Sequence, residues 1–192
     1  MSVSLSKGQR VSLAKRGGGS LSRVRMGLGW DAVQKKGFLG KMRSQEIDLD
    51  ASVLLFDSNK RLVDAVWFGQ LRSADGSVVH TGDNLTGAGE GDDESIIVDL
   101  AALPANVTAL LFTVNSFTGQ NFSQIENAFC RLVDETNQDE LARYDLTGSG
   151  SHNAQLMAKV SRDGTGWSMT AIGATTSGRT VQDLVPAAVA QL

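Results

Sequence analysis

The chain has a single cysteine, two prolines and no long apolar run in its 192 residues. One cysteine excludes an intrachain disulfide framework and fits a reducing cytoplasm. Two prolines among many β-branched residues favour sheet over loop. The apolar runs Val53–Phe56 and Ala109–Phe112 have the length of core strands, far short of a membrane span. The opening residues Met1–Arg10 lack the apolar core of a signal peptide. No broad basic stripe accompanies the net charge of −3, so no nucleic-acid partner is expected. No P-loop, dinucleotide fingerprint or Ser/His/Asp set is present. No Pro/Ser-rich linker divides the chain, and 192 residues suffice for one well-buried domain over 1–192.

What the chain has instead is acid gathered in glycine-rich surroundings. Residues 82–94 hold the carboxylates Asp83, Glu90, Asp92, Asp93 and Glu94, the oxygens of Asn84 and Thr86, and four glycines. The stretch contains no lysine or arginine. Two such charges 4 Å apart repel by roughly 4 kcal/mol at an effective dielectric near 20, so a folded loop of this kind wants a cation. Hard oxygen donors without cysteine point to calcium before zinc or copper. An EF-hand does not fit: with Asp83 first and Glu94 twelfth, the third, fifth and sixth positions are Leu85, Gly87 and Ala88. The glycine-aspartate pattern of calcium β-helices occurs once, and that architecture needs a tandem array.

A second acidic element lies in Ile47–Phe56. Read as a strand, it places Asp48, Asp50 and Ser52 on one face and Leu49, Ala51 and Val53 on the other. Asp31 follows the glycine-rich bend Gly27–Trp30. Further strands are expected at 3–5, 10–13, 21–28, 62–68, 78–80, 95–100, 109–115, 126–134, 142–146, 156–162 and 167–172. Hairpin turns fall at Asp75-Gly76 and Asp163-Gly164, a helical turn at 121–125, and a helix at 180–190 capped by Thr180. The fold class this implies is all-β: a two-sheet sandwich with a few short helices, one of them C-terminal.

Four segments, Gly27–Asp31, Asp48–Ser52, Gly82–Gly87 and Gly89–Glu94, resemble in order the hallmark segments of the TerD family of tellurium-resistance and stress proteins. Phe112–Asn115, Gln120–Phe122, Glu126–Arg131 and Glu140–Tyr144 agree with it, so the resemblance covers nearly the whole chain. Lys35–Gly40, Val66–Phe68 and Leu103–Val107 look closest to the family's TerZ branch. Trp67-Phe68-Gly69 stands where the usual TerD form has Phe-Tyr-Asn. The resemblance implies a calcium-binding, non-catalytic β-sandwich of the bacterial cytoplasm. It also implies complexes with other tellurium-resistance proteins, reaching to the inner membrane surface. Carried over residue by residue, the ligands would be Asp83, Asn84, Asp92, Asp93 and Glu94, with carbonyls of Gly87 and Gly89, and with Asp31, Asp48 and Asp50 completing that site or making an adjacent one. The alternative is a metal-dependent hydrolase in which the clustered carboxylates and a cation activate water.

Three other features invite sharper readings. Cys130 sits among core-like residues and reads as a small buried hydrophobe. His80 reads as a structural or pH-sensing residue, and His152 as exposed. Lys35–Arg43 mixes four cations with three apolar side chains and reads as an exposed loop. Four charges at about 1 kcal/mol each give only millimolar attachment to an anionic membrane.

Overall fold

The computed structural model describes residues 3–4, 7–13, 21–31, 33–36, 42–45, 48–82, 91–145, 150–164 and 166–192. In chain order the strands begin with β1 (Val3–Ser4), β2 (Arg10–Ser12), β3 (Arg23–Asp31), β4 (Val33–Lys36) and β5 (Met42–Gln45). They continue with β6 (Leu49–Phe56), β7 (Leu62–Val66), β8 (Val78–His80), β9 (Glu94–Asp99) and β10 (Ala109–Ser116). The last four are β11 (Glu126–Asp134), β12 (Asp139–Asp145), β13 (Ala154–Asp163) and β14 (Gly166–Thr176), followed by helix α1 (Val181–Val189). A 3-10 turn covers Phe122–Gln124, where the sequence predicts a helical turn.

Two six-stranded sheets form the sandwich. One runs β1-β12-β11-β3-β9-β8, the other β2-β14-β13-β10-β6-β7, and every pairing is antiparallel except β1 with β12. The alternation expected of half-buried strands is clear in β3. Val24, Met26, Leu28 and Trp30 enter the core between the sheets, while Arg25, Gly27 and Gly29 take the outer face. β6 differs, since all eight of its residues are buried. Ala51, Val53 and Leu55 pack between the sheets. Leu54 and Phe56 instead meet Leu111, Leu156 and Ile172 beneath Val181 and Ala188 of α1. The row Asp50-Ser52 therefore lies on the helix-covered face of the second sheet.

The hairpin turns fall where predicted, with Gly76 at φ +78° and Gly164 at φ +58°, a region that glycine enters freely. The stretch read as an exposed loop is different. Its flanks form a two-stranded antiparallel ladder, β4–β5, with Lys35 in register opposite Arg43. These strands are mostly polar and carry little apolar alternation, which is why this ladder leaves no strand signal in the sequence.

Candidate metal centre

The downstream limb of the acidic stretch, residues 91–93, crosses the outer face of β3. Gly27 and Gly29 make the crossing possible. A Cβ at Gly27 would fall inside the Asp92 carboxylate, and one at Gly29 would stand 2.5 Å from the Gly91 carbonyl oxygen. Arg25 precedes Gly27 on the same face, and β11 places Arg131 directly opposite Gly27. Both arginines turn to Asp92. Arg25 Nη1 donates to Asp92 Oδ2, and Arg131 Nε donates to Oδ1 at 2.7 Å. The Asp92 hydrogen bond holds the Arg131 guanidinium above its ordinary pKa.

Asp93 is fixed by backbone on both sides. Its N–H donates to the Leu28 carbonyl at 2.8 Å, and its Oδ2 accepts the Trp30 N–H at 2.9 Å. Burial pushes the Asp93 carboxyl up, the Trp30 N–H pulls it down, and the neighbouring Asp31 and Asp92 charges push it up again. Asp31 is exposed at the end of β3, where Asn127 Nδ2 donates to its Oδ2 at 2.5 Å.

Glu94 opens β9 and is fully enclosed at 1% exposure. It ties the two sheets together. β7 ends opposite Val53, and beyond that point the Ala51 N–H donates to Glu94 Oε2 at 2.7 Å. His80 completes the corner. The Gly82 N–H donates to its Nδ1 at 3.1 Å, which assigns the ring proton to Nε2. Nε2 then faces the Ala51 carbonyl at 3.2 Å and Glu94 Oε2 at 3.4 Å. His80 is thus a structural residue at the root of the acidic stretch.

Asp50 lies across the strand pair from Asn115, whose Nδ2 donates to Asp50 Oδ2 at 3.0 Å and to the Arg179 carbonyl at 2.9 Å. Those two bonds orient the amide and leave Asn115 Oδ1 buried with no hydrogen-bond partner among the described residues. Thr113 Oγ1, two residues earlier on that face, is in the same condition. Asp48 is half-buried just ahead of β6.

Asp83, Asn84, Gly87 and Gly89 lie outside the described residues. Among the described residues, no three His, Cys, Asp or Glu side chains gather as a metal-holding group. The Asp31 charge acts on Asp93 at the first sheet, Asp48 and Asp50 stand on or beside β6, and Glu94 reaches from one sheet to the other. Sequence reasoning missed Arg25 and Arg131. The available signal was Arg25-x-Gly27-x-Gly29, an alternation that clears one face of a strand beside a cation. The acidic turn at 134–140 feeds the same network. Arg25 Nε donates to Glu135 Oε2 at 2.9 Å, and Arg131 Nη1 to Glu140 Oε2 at 3.4 Å.

Cys130 is buried on the core side of β11, and burial pushes its thiol up to about 12. It is a core side chain with no reactive thiolate. His152, read as exposed, is half-buried, with its ring 5.0 Å from that of Phe122 and Nε2 3.3 Å from Gln155 Oε1. A cavity of about 220 Å³ lies at the far end of β6, beside Lys60 and Lys159. These lysines donate to the Leu192 and Gln191 carbonyls, beyond the end of α1.

A two-sheet sandwich with acid-rich segments joining its sheets is the arrangement in hand, and comparison with known proteins gives it a family. The TerD domain matches residues 1–187, and the chain belongs to the TerD family. It is 52% identical over 184 residues to the tellurium resistance protein TerZ of Serratia marcescens, covering 95% of this chain and 94% of that protein. It is 40% identical to the stress response protein SCP2 of Bacillus subtilis (strain 168), covering 96% and 98%. It is 44% identical to the tellurium resistance protein TerD of Alcaligenes sp, covering 90% of each. A crystal structure of a homologue of the telluride resistance protein TerD from Streptomyces coelicolor A3(2) superposes with a TM-score of 0.72 at 19% identity. That match covers 86% of this chain and 96% of the other, and it shows the same fold. These relatives place the chain in a tellurium-resistance and stress-response family. Among the described residues, no helix is long and apolar enough to cross a membrane.

Proposed function

We propose that this chain is a calcium-binding, non-catalytic resistance protein that works in the cytoplasm within a complex of other tellurium-resistance proteins, at the inner membrane surface. The observation that carries the calcium reading is the part-buried Asp93 carboxylate, held over β3 by the Leu28 and Trp30 backbone where the Asp31 and Asp92 charges act on it. Asp93 is part-buried, accepts the Trp30 N–H, and bears the negative fields of Asp31 and Asp92. A bound cation would relieve that repulsion. The donors these residues offer are oxygens, which suits calcium.

Asp31 and Asp93 would hold the ion on the first sheet, joined by Asp83 and Asn84 and by the carbonyls of Gly87 and Gly89. Asp48 and Asp50 at the start of β6, with the Asn115 Oδ1 of β10 that has no hydrogen-bond partner among the described residues, offer a second set of oxygens. Glu94 would link the two sets through the Ala51 backbone. Bound calcium would supply charge neutralisation and a cross-link between limbs of the loop. A hydrolase would need a base facing the bound cation, and His80 is enclosed with both ring nitrogens committed. The partners are carried over from the motif resemblance alone.

Titration calorimetry of calcium into chelator-treated protein at moderate salt tests the reading. Saturable calcium binding that survives millimolar magnesium is expected, because magnesium demands a rigid octahedron and keeps its waters. No saturable heat, or equal affinity for the two ions, would contradict it.

A further inference from the structure

We infer that Asp92 is a positioning residue rather than a calcium ligand: Arg25 and Arg131 clamp it over Gly27 and thereby set the pose of Asp93. The inference rests on the calcium reading and adds to it a division of labour between two adjacent aspartates.

Both Asp92 oxygens are engaged by guanidinium donors, Oδ2 by Arg25 and Oδ1 by Arg131. Its side chain is only 5% exposed. The arginines are themselves braced. Arg25 also donates to Glu135 at 2.9 Å and to the Gln138 side-chain oxygen at 3.0 Å, while Arg131 reaches Glu140 at 3.4 Å. A guanidinium held at several points is a poor candidate for swinging away when an ion arrives, because its planar fork is already matched to carboxylate oxygens.

The floor beneath the clamp is equally specific. Gly27 leaves the space that the Asp92 carboxylate fills, and Gly29 leaves the space that the Gly91 carbonyl fills. With Asp92 pinned and Gly91 seated, Asp93 follows directly, its N–H on the Leu28 carbonyl and its carboxylate on the Trp30 N–H. Asp93 is therefore aimed by its neighbour's ion pairs, as the supporting shell of a metal site aims its ligands.

The alternative is that Asp92 coordinates calcium and that its arginines merely balance it when no ion is bound. The two accounts predict opposite signs. Removing a positive charge beside a cation site strengthens cation binding through the field alone, and it does so further if it frees a carboxylate ligand. Loss of a positioning clamp weakens binding in spite of the favourable field.

The experiment is calcium titration calorimetry on Arg25→Gln, Arg131→Gln and the unmutated chain at moderate salt. The expected result is a loss of about tenfold to a hundredfold in affinity for each variant, the range for disrupted supporting residues of metal sites. Arg25→Lys and Arg131→Lys, which keep the charge and guard against a folding defect, should recover part of that loss. A gain in affinity, or no change, overturns the inference. Amide exchange in the calcium-free protein gives an independent reading: the Asp93 and Trp30 N–H groups should exchange faster in both glutamine variants. If the unmutated chain binds no calcium, the calcium reading fails. The anchor is then judged on exchange alone, where unchanged rates overturn it.

Discussion

Gly27 and Gly29 leave the outer face of β3 bare over the stretch where residues 91–93 cross it. At Gly29 the obstacle to a side chain is backbone: a Cβ would stand 2.5 Å from the Gly91 carbonyl oxygen and 2.6 Å from the Phe129 ring. Gly29→Ala should therefore lift the segment off the sheet and destabilise the chain by about 1–3 kcal/mol, the cost of forcing extra volume into a packed contact. Denaturant unfolding checks this, and an unchanged midpoint would show that the segment yields easily. At this scale the sequence was legible where a residue's character is local. Cys130 reads as a core residue from its neighbours and is one. The partners of Asp92 were not legible, because Arg25 and Arg131 are 67 and 39 residues away along the chain. Only the sheet order β11-β3-β9 brings them together.

Alternation and turn chemistry made the strands of the sandwich readable, and their ends shift by a few residues. β14 runs to Thr176, past the expected end at 172, because Ala154–Leu156 of β13 pair with Ala174–Thr176. Helix α1 was readable from its Thr180 cap, and its stability rests on that cap and on the buried side chains of Val181, Leu184 and Ala188. Pro186 inside it removes one intrahelical donor. The Asp183 carboxylate receives the Arg179 and Thr180 N–H groups at 3.0 Å each, and these bonds, Arg179 first, hold it below its ordinary value of 3.8. A depressed acid contributes stability above its unfolded pKa and loses it as pH falls through its folded pKa. Asp183→Asn should thus melt at a lower temperature than the unmutated chain at neutral pH. The gap should narrow once the pH drops below 3.8. Melting curves at the two pH values decide; a constant gap would mean that the ionised cap is not what the substitution removes.

Across the whole molecule, the acidic residues concentrate where the sheets are tied together. Glu94 and His80 of one sheet satisfy Ala51 of the other, and the connection after β7 is bonded to β8 through the Leu71 and Ser73 backbone. The two-sheet architecture and the acidic character of its junction were visible in the sequence. How the acids divide among tasks was not, since that depends on which strand each one faces. Asp92 serves an ion-pair clamp and Glu94 an inter-sheet tie, and the calcium proposal assigns the ion to Asp31 and Asp93. A cation shared between loop limbs binds the folded chain and not the unfolded one, so it must raise stability. At a free concentration a hundred times the dissociation constant the gain is about 2.7 kcal/mol, or roughly 5–10 °C for a chain of this size. The direct measurement is the unfolding midpoint of the chain in calcium against the same chain in chelator at constant ionic strength. The account predicts a rise that grows with the logarithm of free calcium; coincident midpoints at every calcium concentration would contradict it.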